Sequence, residues 1–574
     1  MKNLEIARIF NEIADMLELK DENPFRIRAY RRAALNLESL SEDLGEMCER
    51  GTLQTIPGIG ADLAQKIKKY LETGEMDFYE KIRKQTPQVL LEMITIPGIG
   101  PKTAKLLYDK LEVKSIADLE KKARGHKVRN LPGVKDKTED NIIKGIEFIK
   151  RKRGRMLLST ASQTADGVIE RLRKLPEIKK ISVAGSLRRR KETVRDIDIL
   201  VISAKPSGAM DAFVSLPQVK EVTAHGPTKS SILTKDGAQV DIRVMEEGSF
   251  GAAMCYFTGS KAHNIRLRKM AMEKGLKLNE YGVFKVRGKT EKRVAGRTEE
   301  ELYKTLGLSF IPPELREDQG EIEAAKMHKL PALVEEKDIK GDFHIHSDWS
   351  DGGYSIEEMA EAARKKGYEY AVITDHSKTL KIAGGLSNKD RLEQIEKIHG
   401  LRKKMKGFTL LAGAEVDILD DGSLDYGDDI LKELDVVIAA IHSGFKETKE
   451  KITGRILKAM ENKYVNIIAH PTGRLIGTRD AYEIDMEKIL KAAEDTNTAI
   501  EINGFPERLD LNDGWCRRAK EIGCALALST DAHITDQLDN MRYAASVARR
   551  GWLEKKDILN SLSWDKVRPR LKKQ

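Results

Sequence analysis

Asp196-Ile-Asp198 and Asp241, with Gly185-Ser186 and Arg188-Arg189-Arg190 just upstream of the first pair, are the residues of this chain best suited to chemistry. Each acidic group lies in a run that reads as a β-strand, so alternation puts Asp196 and Asp198 on one face while Ile197 and Ile199 pack on the other. If the run Gln239-Val-Asp-Ile-Arg-Val244 pairs beside the first, Asp241 joins the other two around a pair of divalent ions. Two such ions suit in-line phosphoryl transfer, because one acidifies the attacking hydroxyl and the other neutralises the leaving oxygen. Gly185 allows close backbone approach, Ser186 offers a hydroxyl and the arginines offer forked donors that fit phosphate oxygens. Together these residues describe a nucleoside triphosphate site.

A second constellation begins at Asp342. Six of the chain's eleven histidines follow apolar, strand-like runs: His344 and His346 in Asp-Phe-His-Ile-His, then His376, His442, His470 and His533. Asp351, Glu415 and Asp531 join them. His344 and His346 share one face of an extended segment, as do Asp531 and His533, so each pair can reach a single ion. Ligands at the ends of successive strands, with helices between, predict a barrel-like α/β domain whose site lies at one mouth. Mixed imidazole and carboxylate donors suit Zn2+, Mn2+ or Fe2+.

The elements that must carry these groups are less uniform. Thr55-Ile-Pro-Gly-Ile-Gly60 recurs letter for letter as Thr95-Ile-Pro-Gly-Ile-Gly100, each copy flanked by helical patterning. The repeat resembles the helix-hairpin-helix motif, in which glycines, here Gly58, Gly60, Gly98 and Gly100, turn the chain and aim backbone amides at a DNA phosphate. Leu131-Pro-Gly-Val134 is a degenerate third copy with Lys135 in place of the second glycine.

Charge is divided unevenly over the 574 residues. Residues 1–340 carry 64 Lys and Arg against 51 Asp and Glu, a net of +13, whereas 341–574 carry 37 against 40. The nucleic-acid footprint is therefore expected in the first 340 residues. No apolar run reaches the length of a membrane span, and the amphipathic, acid-containing start does not resemble a secretion signal. Four scattered cysteines fit a reducing compartment, so the chain is expected in the cytoplasm, without membrane contact. No coiled-coil or self-pairing segment stands out, and a monomer is expected.

On the acidic pair, the glycine-serine-arginine segment and Tyr256-Phe-Thr-Gly-Ser260, the chain resembles the X-family DNA polymerases related to polymerase beta. The resemblance implies Mg2+ or Mn2+ on Asp196, Asp198 and Asp241, and triphosphate contacts from Gly185, Ser186 and Arg189. It further implies a sugar gate at Tyr256, Phe257 and Gly259, and minor-groove contacts from Asn264 and Arg268. Lys66 stands where some members carry a Schiff-base lysine of lyase chemistry. Asp62 replaces a lysine of those members, so a DNA-facing lysine is the expectation there. From Asp342 the chain resembles the polymerase and histidinol phosphatase (PHP) domain, with all nine positions of its three-metal cluster filled.

The resemblance implies a multidomain chain bounded as follows. Residues 1–85 and 86–150 form α-helical helix-hairpin-helix domains, and 151–262 an α+β nucleotidyltransferase palm. A thumb at 263–315 and a linker at 316–340 lead to a C-terminal α/β PHP barrel over 341–574. The activity implied is DNA polymerisation that fills short gaps in repair, on gapped or primer-template DNA with deoxynucleoside triphosphates. A metal-dependent 3′–5′ exonuclease accompanies it, in some relatives with cleavage at abasic sites or of blocked 3′ ends. The alternative is a nuclease or phosphatase whose polymerase part serves mainly in DNA binding.

Overall fold

The computed structural model describes residues 2–38, 44–96, 99–131, 138–143, 145–146, 155–287 and 290–572. It divides into two compact units, one over residues 1–153 and one over nearly all of the remainder.

The first unit is helical. In helix Ala61–Thr73, Leu63, Ala64, Ile67 and Tyr70 fall on one stripe and are buried, the spacing an amphipathic helix needs. Two apolar cores result. One gathers Ile6, Phe10, Ile13 and Tyr30 with Ile56, Ile59 and Ile67, and the other gathers Leu90, Met93 and Leu107 with Ile96 and Ile99. The isoleucines of the two repeats thus play the same part, each pinning its own hairpin to its own core.

Among the described residues the second unit holds four β-sheets. Strands β1 (Met156–Leu157) and β3 (Thr193–Val194) form a small antiparallel pair. Strands β2 (Ile178–Val183), β4 (Asp196–Ser203), β5 (Val219–His225), β6 (Lys229–Thr234) and β7 (Gln239–Val244) form a mixed sheet in the order β2-β4-β7-β6-β5. Helix Phe250–Thr258 packs beneath it through Phe250, Ala253 and Met254. A three-stranded antiparallel sheet, β8 (Leu276–Asn279), β9 (Gly282–Arg287) and β10 (Thr290–Ala295), follows helix Lys261–Glu273.

The rest is a parallel barrel of β11 (Gly341–Ile345), β12 (Tyr370–Ile373), β13 (Thr409–Asp417), β14 (Val436–Ala440), β15 (Val465–Ile468), β16 (Ala499–Asn503) and β17 (Leu526–Ser529), paired in chain order. A parallel bridge between Ile345 and Ala532 brings the last strand back to the first, so the barrel is nearly closed. Strands such as Val436–Ala440 are apolar without alternation because both faces are buried, one by barrel side chains and one by helices. Among the described residues no helix is long and apolar enough to cross a membrane.

Candidate active sites in palm and barrel

Strands β4 and β7 pair in parallel with Asp198 opposite Asp241 and Asp196 opposite Gln239. Ile197, Ile199, Val240 and Ile242 are buried on the far face, which leaves the three carboxylates on the other. Gly185 opens the turn after β2 with φ +64°, and a Cβ there would lie 2.5 Å from Asp198 Oδ2. Only glycine lets the turn pass that carboxylate. Asp241 accepts from Ser231 Oγ and from Gln239 Nε2, two partners that sequence alone did not bring forward.

Burial, with Asp196 and Asp241 beside it, pushes the Asp198 carboxyl up to about 6, against an ordinary 3.8. Between those two values the folded chain keeps a proton that the unfolded chain has released, so stability falls as pH rises through that window. In chelator at pH 7.5, Asp198→Asn should therefore melt above wild type, a gain on the order of 2–3 kcal/mol. Below about pH 4 the two should melt together. Thermal melts at the two pH values check this, and equal melting at pH 7.5 would show that Asp198 is not strained by its neighbours.

The three arginines part company. Arg188 closes its fork on buried Glu299 at 3.0 and 2.5 Å, so it is not available to a phosphate as expected from sequence. A buried carboxylate demands such a partner, and Arg316 completes the pair from the other side at 2.6 Å. Arg189 donates from Nε to Glu317 at 3.0 Å and from Nη1 to the Thr258 carbonyl, leaving Nη2 as its open edge. Arg190 is exposed and lines a separate cavity with Arg155, Lys191 and Arg550. Ser186 is half-buried on the same turn as Gly185.

Tyr256 and Phe257 end helix Phe250–Thr258 edge to face, their centroids 5.1 Å apart, and Arg243 lies 4.8 Å over the Phe257 ring. Gly259 continues with φ +71°. Asn264 Nδ2 donates to the Tyr256 carbonyl at 2.7 Å, and Asn264 and Arg268 line one pocket with Tyr256.

In the barrel every sequence-predicted ligand except Asp351, which lies in the loop after β11, sits at or just past the carboxyl end of a strand, as a mouth-located site requires. Three groups of side chains bring their donor atoms within 4.8 Å of one another: His346, Asp351, His376 and His533; His344, His346 and Asp531; His376, Glu415 and His442. His346 and His376 each belong to two groups, so the three form a chain. His470 stands beside them, its Nε2 2.8 Å from Glu415 Oε1. Burial would raise the Glu415 carboxyl, but His442, His344 and His376 hold it well below the usual range. Asp531 is likewise held low, against burial, by His344, His346 and Arg508.

These residues fit divalent ions. The donor set mixes imidazole nitrogen with carboxylate oxygen, and His344 Nε2 and His470 Nδ1 are buried without a hydrogen bond. An ion would satisfy such atoms, which otherwise carry an uncompensated desolvation.

Sequence reasoning missed the groups that orient the ligands. Glu501, on the one strand that supplies no ligand, accepts from His344 Nδ1 at 2.7 Å and from the His470 backbone amide at 2.6 Å. Asn503 on the same strand donates to Asp531 at 3.0 Å, and Asp417 meets His442 Nδ1 at 2.5 Å. The contacts to His344 and His442 engage Nδ1 and leave Nε2 facing Glu415. The signal available was a glutamate inside the wholly buried run Ala-Ile-Glu-Ile-Asn.

In the helical unit the described ends of the two repeats are alike. Gly60 and Gly100 are extended caps of helices Ala61–Thr73 and Pro101–Leu111, neither closed by a side chain, so first-turn amides stay open to an anion. Gly58 takes φ +81°, while Gly98 and the degenerate copy at 132–135 lie outside the described residues. Lys66 is engaged by Asp62 and lies 5.5 Å from the Phe78 ring centre.

Known families match the chain in sections. Models of a helix-hairpin-helix domain match residues 1–76, a SAM-like helix-hairpin-helix tandem 90–147, a DNA polymerase beta thumb 253–317 and a PHP domain 342–505. The DNA polymerase/3′-5′ exonuclease PolX of Bacillus subtilis (strain 168) is 40% identical over 575 residues, covering 100% of both chains. A probable phosphatase of Thermoanaerobacter sp. (strain X514) is 33% identical over 231 residues, 38% of this chain and 89% of that one. Among solved structures, polymerase beta of Leishmania infantum in a ternary P/T complex matches with 26% identity and a TM-score of 0.27, over 40% of this chain and 100% of that one. With similarity running from end to end, helical hairpins first, polymerase-type palm and thumb next and a PHP barrel last, the chain belongs to the family of the DNA polymerase/3′-5′ exonuclease PolX.

Proposed function

We propose that the chain is a gap-filling DNA polymerase of the X family whose barrel degrades DNA from 3′ ends. The observation that carries this reading is the end-to-end similarity at 40% identity, which includes both sites. In the palm, Asp196, Asp198 and Asp241 hold Mg2+ or Mn2+, ions that acidify the primer hydroxyl and neutralise the leaving phosphate when bound. Gly185, Ser186 and Arg189 receive the triphosphate. Tyr256, Phe257 and Gly259 crowd the ribose, and Asn264 and Arg268 face the minor groove.

In the barrel, His344, His346, Asp351, His376, Glu415, His442, His470, Asp531 and His533 hold up to three ions, Zn2+, Mn2+ or Fe2+, which supply an acidified water. Glu501, Asn503 and Asp417 keep the ligands turned toward the mouth, and Arg508, 3.2 Å from Asp531, offers a cation to the leaving phosphate. Gly58, Gly60, Gly98 and Gly100 present backbone amides to DNA phosphates without reading sequence. Lys66, tied to Asp62, serves as a DNA-facing cation rather than a nucleophile. The domain boundaries proposed are those expected from sequence, and the reading places the protein in the cytoplasm as a monomer.

The test is a gapped duplex with a labelled primer. Extension with all four deoxynucleotides, and shortening with manganese and no nucleotides, are the expected results. Shortening without extension would favour the nuclease whose palm only binds DNA.

A further inference from the structure

Palm and barrel meet at Arg189. Helix Met541–Arg550, which follows β17, ends in two arginines that reach the turn Pro313–Leu315 and the residues after it. Arg549 Nε donates to Glu314 at 2.8 Å. Arg550, buried in the barrel, donates from Nη1 to the Arg189 carbonyl at 2.8 Å and to Glu317 Oε1 at 3.1 Å. Its Nη2 is fixed by Asp513 at 2.5 Å. The same Glu317 oxygen accepts from Arg189 Nε at 3.0 Å, and Lys191 lies 3.7 Å away. Burial would raise the Glu317 carboxyl, but Arg189, Lys191 and Arg550 hold it low, so it stays an anion between them.

We propose that Arg550 of the barrel is a positioning residue for nucleotide binding in the palm, holding Arg189 from both sides, by its carbonyl and through Glu317. This rests on the reading of Arg189 as a triphosphate ligand. A long side chain already fixed on Nε and Nη1 presents Nη2 without losing rotamer freedom when the nucleotide arrives. The barrel therefore supports the polymerase as a scaffold as well as degrading DNA. Arg550 touches no substrate, and its effect should fall on KM for the deoxynucleotide rather than on kcat.

The experiment is single-nucleotide incorporation on a gapped duplex by the full chain, with Arg189→Ala, Arg550→Ala, Glu317→Gln and the Arg189→Ala/Arg550→Ala double variant. Exonuclease rate and melting temperature are followed in parallel. Arg189→Ala should raise KM for the nucleotide. Arg550→Ala and Glu317→Gln should each raise it about tenfold with kcat within about twofold and the exonuclease rate unchanged. The double variant should be no worse than Arg189→Ala, since both act on one contact. If Arg189→Ala raises KM but the other two single variants bind nucleotide like wild type, the positioning role is overturned. A wild-type KM in Arg189→Ala overturns the assignment of Arg189 itself. Should Arg550→Ala lose its fold, seen in melting and exonuclease together, the near-isosteric Glu317→Gln decides.

Discussion

Asp198→Ala should abolish primer extension, by about 10³-fold or more, while the same protein still shortens a 3′ end with manganese. Asp198 lies opposite Asp241 in the β4–β7 register and feels both other carboxylates, so it is the member of the trio on which an ion bridging the strands depends most. Its loss leaves two carboxylates, one of them already drawn aside by Ser231 and Gln239. Nothing in the barrel mouth is drawn from β4 or β7, so the nuclease should be untouched. Extension and degradation rates on one labelled primer measure both. Equal loss of the two would mean that they share a site.

His344→Ala should have the opposite effect, lowering 3′ degradation by about 10²-fold or more with extension retained. His344 Nε2 lies 3.3 Å from Glu415 and 3.6 Å from Asp531, so the imidazole stands between two buried carboxylates of the mouth. Removing it sets those anions against each other and leaves Glu501 buried without its imidazole partner. A stability loss of about 3 kcal/mol is expected from that unpaired carboxylate, which a melting curve detects. Degradation at the wild-type rate by a variant of intact fold would take the barrel cluster out of the mechanism.

Much of this was legible in the sequence, for physical reasons that can be named. The Asp-Ile-Asp alternation assigns faces by itself, because side chains on a strand point to opposite sides in turn. Most of the candidate barrel ligands were legible because they close apolar runs, and strands of a parallel barrel end at one mouth. The repeated hairpin predicted one local structure twice, and Gly60 and Gly100 cap their helices alike.

What stayed hidden depends on distant partners. Arg188, Arg189 and Arg190 read as one phosphate-binding cluster, yet Arg188 is claimed by Glu299 and Arg189 is held through Nε by Glu317, residues 111 and 128 positions away. Local pattern carries no information about such pairs. Glu501 was hidden for another reason: within Ala-Ile-Glu-Ile-Asn it reads as a strand residue, and only the closed barrel shows that no solvated face exists there for it.

Two separate ion-holding sites in one polypeptide are the centre of this account, and anomalous diffraction at the manganese edge from crystals soaked in manganese tests them most directly. Peaks should appear beside Asp196, Asp198 and Asp241 and, apart from them, among His344, His346, His376, Glu415 and Asp531. A barrel mouth without manganese, or ions held away from the acidic trio, would contradict it.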